Sequence, residues 1–236
     1  MISLTKQFVK EMERRILTGE MEISSKIPPL RVLAQEFHVS RSVINAGIVE
    51  LCNNGYLVTV PRKYICVSDW RKTGNFAMLN GLIENGLCDE DFFDDLFAGR
   101  MTIEKAIIRA AAKARTDQDL EEIKRIIDRE EVCCNEKVLD RSKQIKERAE
   151  VDKDFHHALA VASHNTVYTV ILNSFHSLED KLMLEFYAKE IDYAFVVEMH
   201  KSLYEALKTR DADEAERTME SLLAHGESEL QKASKQ

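Results

Sequence analysis

Apolar residues recur along most of this chain at intervals of three and four, the period of helices with one buried face. Leu4–Thr18 carries Phe8, Met12 and Ile16 four residues apart, with Gly19 as a stop. Leu30 to Phe37 places Leu33, Ala34 and Phe37 on one side, and His38-Val39 makes a tight turn. Ser40 is a good N-cap for a second helix reaching Asn53, with Ile44, Ile48 and Leu51 inward and Gly55 at its end. Two short helices across such a turn form a helix-turn-helix, and the Leu4 helix completes a three-helix core. Tyr56–Val60 and Tyr64–Val67 then read as two short strands around Pro61-Arg62-Lys63, a wing with a basic tip.

After a polar linker at Trp70–Asn75 the helical period returns and persists. Phe76–Asn85 is a short helix, and Asp89 caps a long one to Ala114 with Phe93, Phe97, Ile103, Ile107 and Ala111 inward. Further helices are expected from Thr116 to Val132, Lys137 to Ser163, Asn165 to Lys189, Ile191 to Arg210, and from the Asp211 cap to Leu230. The expected fold is mostly α: a winged helix-turn-helix over residues 1–72 and an all-α helical bundle over 73–236.

Charge sharpens that division. The net charge is −8, yet residues 1–75 hold 11 Lys+Arg against 7 Asp+Glu, and the remainder 22 against 34. A basic head on an acidic body suits a nucleic-acid reader whose second domain does something else. The modest positive excess implies that affinity comes from a dimer placing two heads on one duplex. No run of 18 apolar residues or apolar N-terminal segment is present, so a cytoplasmic location and no membrane partner are expected. Cys52, Cys66, Cys88, Cys133 and Cys134 lack the C-x2-C spacing of a metal site and read as reduced, packed thiols, with vicinal Cys133-Cys134 as a redox or thiophilic site the alternative.

Ser40, Arg41, Ser42 and Asn45 stand at the exposed N-terminal end of the second helix, where base edges and phosphates are met. Gly19, Ile27-Pro28, Arg31, Leu33-Ala34, Val39-Ser40-Arg41, Ile44, Ile48, Leu51 and Gly55-Tyr56-Leu57 together resemble the winged helix-turn-helix of the GntR family of bacterial transcription regulators. The resemblance implies binding to double-stranded DNA at a palindromic operator, with Arg31 and Arg41 on phosphate or guanine and with Arg62 and Lys63 in the wing. Several positions depart from the pattern. Pro29 and Leu30 replace Ser-Glu, Asn45 replaces Arg, Gly47 replaces Ala, and the wing lacks a Gly near Lys63. Asn favours adenine where Arg favours guanine, so the half-site should differ from the family's usual one. Gly47, inside a helix, costs up to about 1 kcal/mol against Ala, and nothing in the sequence accounts for it.

In the second domain Asp152 and His156 are four apart and leave one helix face together. His200 and His225 lie on the last two helices, 11 residues before and 14 after the turn at Asp211. One carboxylate and three imidazoles converging in a bundle would suit Zn, Ni, Mn or Fe, whereas each alone reads equally as a surface or core-satisfying residue. Asp152-x-x-Phe155-His156, Ala162-Ser163-x-Asn165, Glu198-x-His200, and Ala215-x-x-x-Met219 with His225 resemble the effector domain, of FCD type, of the FadR subgroup of that family. The resemblance implies a divalent transition metal held by Asp152, His156, His200 and His225. Arg100-x-x-x-Glu104 matches an early signature of the domain, implying an Arg100 that receives a small organic acid effector. Arg100 also reads as an exposed partner of Glu104.

The reading that joins these features is a ligand-responsive homodimeric repressor with no catalytic residues. Two others stand beside it: a metal-dependent enzyme acting on a small carboxylate beneath a vestigial head, and a bundle that only dimerises.

Overall fold

A computed structural model of the chain describes residues 2–61, 63–88, 90–135, 140–188 and 192–234. Arg62, the Asp89 cap and the expected helix ends at Lys137, Lys189 and Ile191 lie outside the described residues. The chain divides into two compact units, Met1–Asp89 and Glu90–Gln236. The boundary expected near residue 72 falls inside a short helix of the first unit.

In that unit α1 (Leu4–Leu17), α2 (Leu30–Glu36) and α3 (Arg41–Asn53) enclose a core of Phe8, Met12, Leu33, Ile44 and Leu51. Ser3 and Ser40 cap α1 and α3 by accepting the amides of Lys6 and Val43. Between α2 and α3 the chain turns through His38, whose φ of 53° lies in the left-handed region. Gly47 faces inward, and a Cβ there would meet Phe8 Cδ1 at 2.4 Å. The missing methyl lets α1 lie close against α3, and Phe8 also meets Phe37 edge-on at 4.9 Å. Tertiary packing thus supplies the reason for a glycine that local helix propensity disfavours.

β1 (Leu57–Val60) and β2 (Tyr64–Val67) pair antiparallel, with Leu57 opposite Val67 and Val60 opposite Tyr64. The far edge of β2 is also used: Ser24 N donates to Val67 O, Val67 N to Ser25 O and Ile27 N to Ile65 O. This edge pairing carries no apolar alternation and was not expected from the sequence. The linker expected at Trp70–Asn75 instead forms a one-turn helix, α4 (Trp70–Thr73). Asn75 then caps α5 (Phe76–Glu84) through the Ala77 amide and reaches back to Asn53 O, while Met78 joins the first core. A polar stretch is therefore spent on tying α5 to the head.

The second unit is helical throughout its described residues: α6 (Glu90–Ala114), α7 (Asp117–Asn135), α8 (Arg141–Ala162), α9 (Thr166–Ala188), α10 (Tyr193–Thr209) and α11 (Ala212–Ser234). Thr116 and Asp119 exchange bonds between side chain and amide at the start of α7, in the manner of a capping box. Asp140, Asn165 and Asp211 cap α8, α9 and α11. Two arginines close the other ends reciprocally. Arg115, after α6, donates to Leu207 O and Lys208 O in the last turn of α10. Arg210, left-handed at the end of α10, donates to Lys113 O and Arg115 O. Glycine usually takes that left-handed position. Here the side chain is needed for the orphan carbonyls of a neighbouring helix. α6 packs on α8, α10 and α11, α7 on α8 and α10, and α10 on α11, around Ile107, Ile123, Phe155, Leu159, Leu203 and Met219.

Candidate metal centre and nucleic-acid face

Within this bundle Asp152, His156 and His200 each offer a ligand atom, and the three atoms lie within 4.8 Å of one another. All three residues are buried. The i, i+4 spacing on α8 sends Asp152 and His156 inward together, and His200 meets them from α10. His200 Nε2 lies 3.9 Å from Asp152 Oδ1 and has no hydrogen-bond partner.

A second layer of side chains fixes these three. The Nδ1 of His200 is 2.8 Å from Glu130 Oε2 of α7, with both residues out of contact with solvent. The Nδ1 of His156 bonds Glu104 Oε2 of α6. With each Nδ1 engaged by a carboxylate, both Nε2 atoms are left for the centre, an arrangement that fixes ring orientation and raises ligand basicity. Tyr187 Oη donates to Asp152 Oδ1 at 2.9 Å, and Phe155 stacks on the His200 ring at 3.8 Å between centroids. Glu130, Glu104 and Tyr187 were not read as site residues from the sequence.

His225 does not join the cluster. Its ring on α11 is 4.4 Å from that of Phe195, and its buried Nε2 has no partner. It lines, with Asp152, His156 and Arg100, a cavity of about 40 Å³ whose other walls include Phe97, Phe186, Val196 and Leu222.

Arg100 is not the surface partner that its spacing also allowed. Its side chain is 11% exposed, and its Nε donates to Glu104 Oε1 at 2.5 Å. Glu104 thus bridges Arg100 and His156. Burial by itself would push the Glu104 carboxyl up, but the His156 and Arg100 cations together outweigh it and hold it at about 2. Burial likewise opposes the His156 imidazolium, and the Glu104 charge more than offsets it, raising its pKa.

On the head, Arg31, Ser40, Arg41, Ser42, Asn45 and Lys63 are all exposed. Ser40 Oγ caps α3 and lies 2.7 Å from Ser42 Oγ. All five cysteines are free thiols.

The geometry defines a class: a winged helix-turn-helix head joined to an all-helical domain with a buried cluster of metal-ligand type. Residues 4–67 match the model of the bacterial regulatory proteins of the gntR family, and residues 95–225 match the FCD domain. The chain belongs to the GntR family and is a transcriptional regulator with an FCD effector domain. Among curated relatives, it is 23% identical to the uncharacterized regulator YcbG of Bacillus subtilis, over 89% of this chain and 82% of the relative. It is 26% identical to a putative L-lactate dehydrogenase operon regulatory protein of Escherichia coli, over 93% and 84%. Among solved structures, that of Lar, which controls expression of the Listeria monocytogenes agr system, aligns over 98% of both chains with a TM-score of 0.65 at 17% identity. That likeness concerns the fold. No helix among the described residues is long and apolar enough to cross a membrane.

Proposed function

We propose that this regulator is a homodimeric repressor of a palindromic operator, whose helical domain holds a divalent transition metal and releases DNA when a small organic acid binds beside it. Arg31, Ser40, Arg41, Ser42, Asn45, Arg62 and Lys63 serve the DNA, Asp152, His156 and His200 the metal, and Arg100 the acid. His225, the expected fourth ligand, serves the same cavity from one wall.

The observation that carries this reading is the buried Nε2 of His200. A polar atom shut from water without a partner costs free energy. Here it faces a carboxylate, beside a second histidine held by its own carboxylate. Such a donor set fits Zn, Ni, Mn or Fe. When bound, the ion supplies a Lewis-acidic anchor for an oxygen of the ligand.

The chain's own residues couple the acid to the metal ligands. An acid drawn to Arg100 competes with Glu104 for the guanidinium, and Glu104 is the carboxylate that orients His156. The acid therefore interacts differently with two arrangements of the bundle, as any ligand-driven shift requires. The same pairing argues against the enzyme reading, because a carboxylate whose two oxygens are already engaged by Arg100 and His156 is poorly placed to take a substrate proton.

Two variants test the division of labour. Arg41→Ala should weaken operator binding and leave metal content unchanged. His200→Ala should lose metal and effector response while DNA binding persists. Retention of metal and response by His200→Ala would remove the site assignment.

A further inference from the structure

The recognition helix offers a face whose chemistry can be read residue by residue. Ile44, Gly47, Ile48 and Leu51 of α3 are buried, leaving Arg41, Ser42, Asn45, Ala46 and Val49 exposed, with Asn53 at the C-terminal end. Arg41, Asn45 and Val49 follow one another at four-residue steps, and Ser42 and Ala46 run alongside, so the five share one face. Val49 is 59% exposed on a helix whose apolar stripe is already complete without it. Beyond the first turn, at positions 45, 46 and 49, this face carries an amide and two aliphatic side chains and no charge.

We propose that Asn45, Ala46 and Val49 make this head a reader of adenine and thymine, so that each operator half-site carries A·T pairs beneath the middle of α3. This rests on the DNA-reading role proposed above and adds to it the identity of the bases. In the major groove adenine presents N7 as acceptor and the N6 amino group as donor, which an Asn amide matches with two bonds. Thymine presents a C5-methyl group, which packs against an aliphatic side chain and has no counterpart on an unmethylated C·G pair. Guanine, with O6 and N7 both acceptors, is matched by a guanidinium, and on this face Arg41 alone supplies one. Cytosine's N4 amino donor calls for a carboxylate, and the one on α3, Glu50, is half-buried a turn beyond Ala46.

The test is selection of bound duplexes from a random pool by the full-length protein, loaded with metal, alongside its Asn45→Arg variant. The wild type should enrich a palindrome whose half-sites hold an A·T pair that becomes G·C, purine for purine, in the pool selected by Asn45→Arg. Replacing that A·T pair by G·C in the wild-type site should weaken wild-type binding roughly 5- to 150-fold. Replacing a neighbouring thymine by uracil, which deletes only the methyl group, should weaken the wild type several-fold and leave Val49→Ser indifferent. All these side chains are exposed, so the variants should fold, and unchanged circular dichroism checks that they do. A palindrome that is G·C beneath α3, or an A·T pair indifferent to position 45, overturns the base assignment while the DNA-reading role stands. No enrichment above a salt-sensitive background overturns both.

Discussion

The N-terminal unit carries its chemistry on the outside, over a core that is almost wholly apolar; among its described residues only Ser68 is a buried polar one. The helical unit does the reverse, burying Glu104, Arg115, Glu130, Asp152, His156 and His200 among aliphatic side chains. A duplex is larger than the head and brings its own phosphates, so the contacting side chains can stay in water until it arrives. The ion and small acid proposed for the bundle must instead be enclosed, and every enclosed polar group then needs a partner. Residues at the two sites should therefore differ in how strongly function and stability are tied together. In the head the two separate, whereas in the bundle Glu104, Glu130, Asp152, His156 and His200 should carry both.

The hardest blow to the bundle is Glu130→Ala. It strips His200 Nδ1 of the Glu130 carboxylate in a place without solvent, and leaving a buried polar group unsatisfied costs about 1–3 kcal/mol. Chemical denaturation of the metal-free protein should show that loss. Glu130→Gln keeps an acceptor and should recover part of it. A loss under 1 kcal/mol for the alanine variant would mean that the buried pair is not a structural requirement, and the contrast between the units would weaken.

Glu104→Gln comes next. It leaves packing nearly unchanged but removes the charge shared by Arg100 and His156. Loss of a carboxylate behind a metal-bound histidine typically lowers affinity about 10- to 100-fold. Competition with a chelator of known affinity measures this, and a change under two-fold would detach Glu104 from the metal. Acid response should change as well, since Arg100 then lacks the Glu104 charge.

How much of this was legible beforehand follows the same division. The helix-turn-helix shows in the sequence because Phe8, Met12, Ile16, Leu33, Ile44 and Leu51 repeat with helical period and Ser40 caps in the expected place. Asp152 and His156 are legible for the same reason, being one turn apart. Glu130 was passed over and Glu104 was read only as the partner of Arg100, although a signal existed. Glu104 leads the stripe Ile107, Ile108, Ala111, and Glu130 continues Ile123, Ile126, Ile127. A charge in line with an apolar stripe is a buried charge, but in α7 it is easily lost beside Glu121, Glu122 and Glu131. The standing of His225 was beyond reach, because spacing along two helices does not fix their relative height or rotation. The role of Gly47 was equally hidden, since its partner Phe8 lies on another helix.

Gly47→Ala tests the head's interior. The substitution gains about 1 kcal/mol of helix propensity but drives a methyl group into the Phe8 ring. Overpacking of this kind costs about 1–3 kcal/mol, so a small net destabilisation of the first unit is expected in thermal unfolding. If alanine stabilised the head, α1 and α3 would not need the close approach seen here. Phe8→Leu combined with Gly47→Ala should then be no better than either alone, whereas relief of the clash predicts that the pair recovers stability.

Arg41→Ala should have the smallest effect on folding and is the sharpest test of the contrast. Its side chain projects from the first turn of α3 into water, and exposed substitutions of this kind stay within about 0.5 kcal/mol. Operator affinity should nevertheless fall. If Arg41 meets a phosphate, the loss should be nearly uniform across sequences and the salt dependence should drop by about one counterion per head. If it meets guanine, the loss should fall on one base pair and leave the salt slope unchanged. Measuring affinity at several salt concentrations, on the selected operator and on a scrambled duplex, separates these outcomes. A stability loss comparable with that of Glu130→Ala would show that the head, too, ties folding to its ligand-facing residues. That result would break the contrast at the point where the structure makes it most sharply.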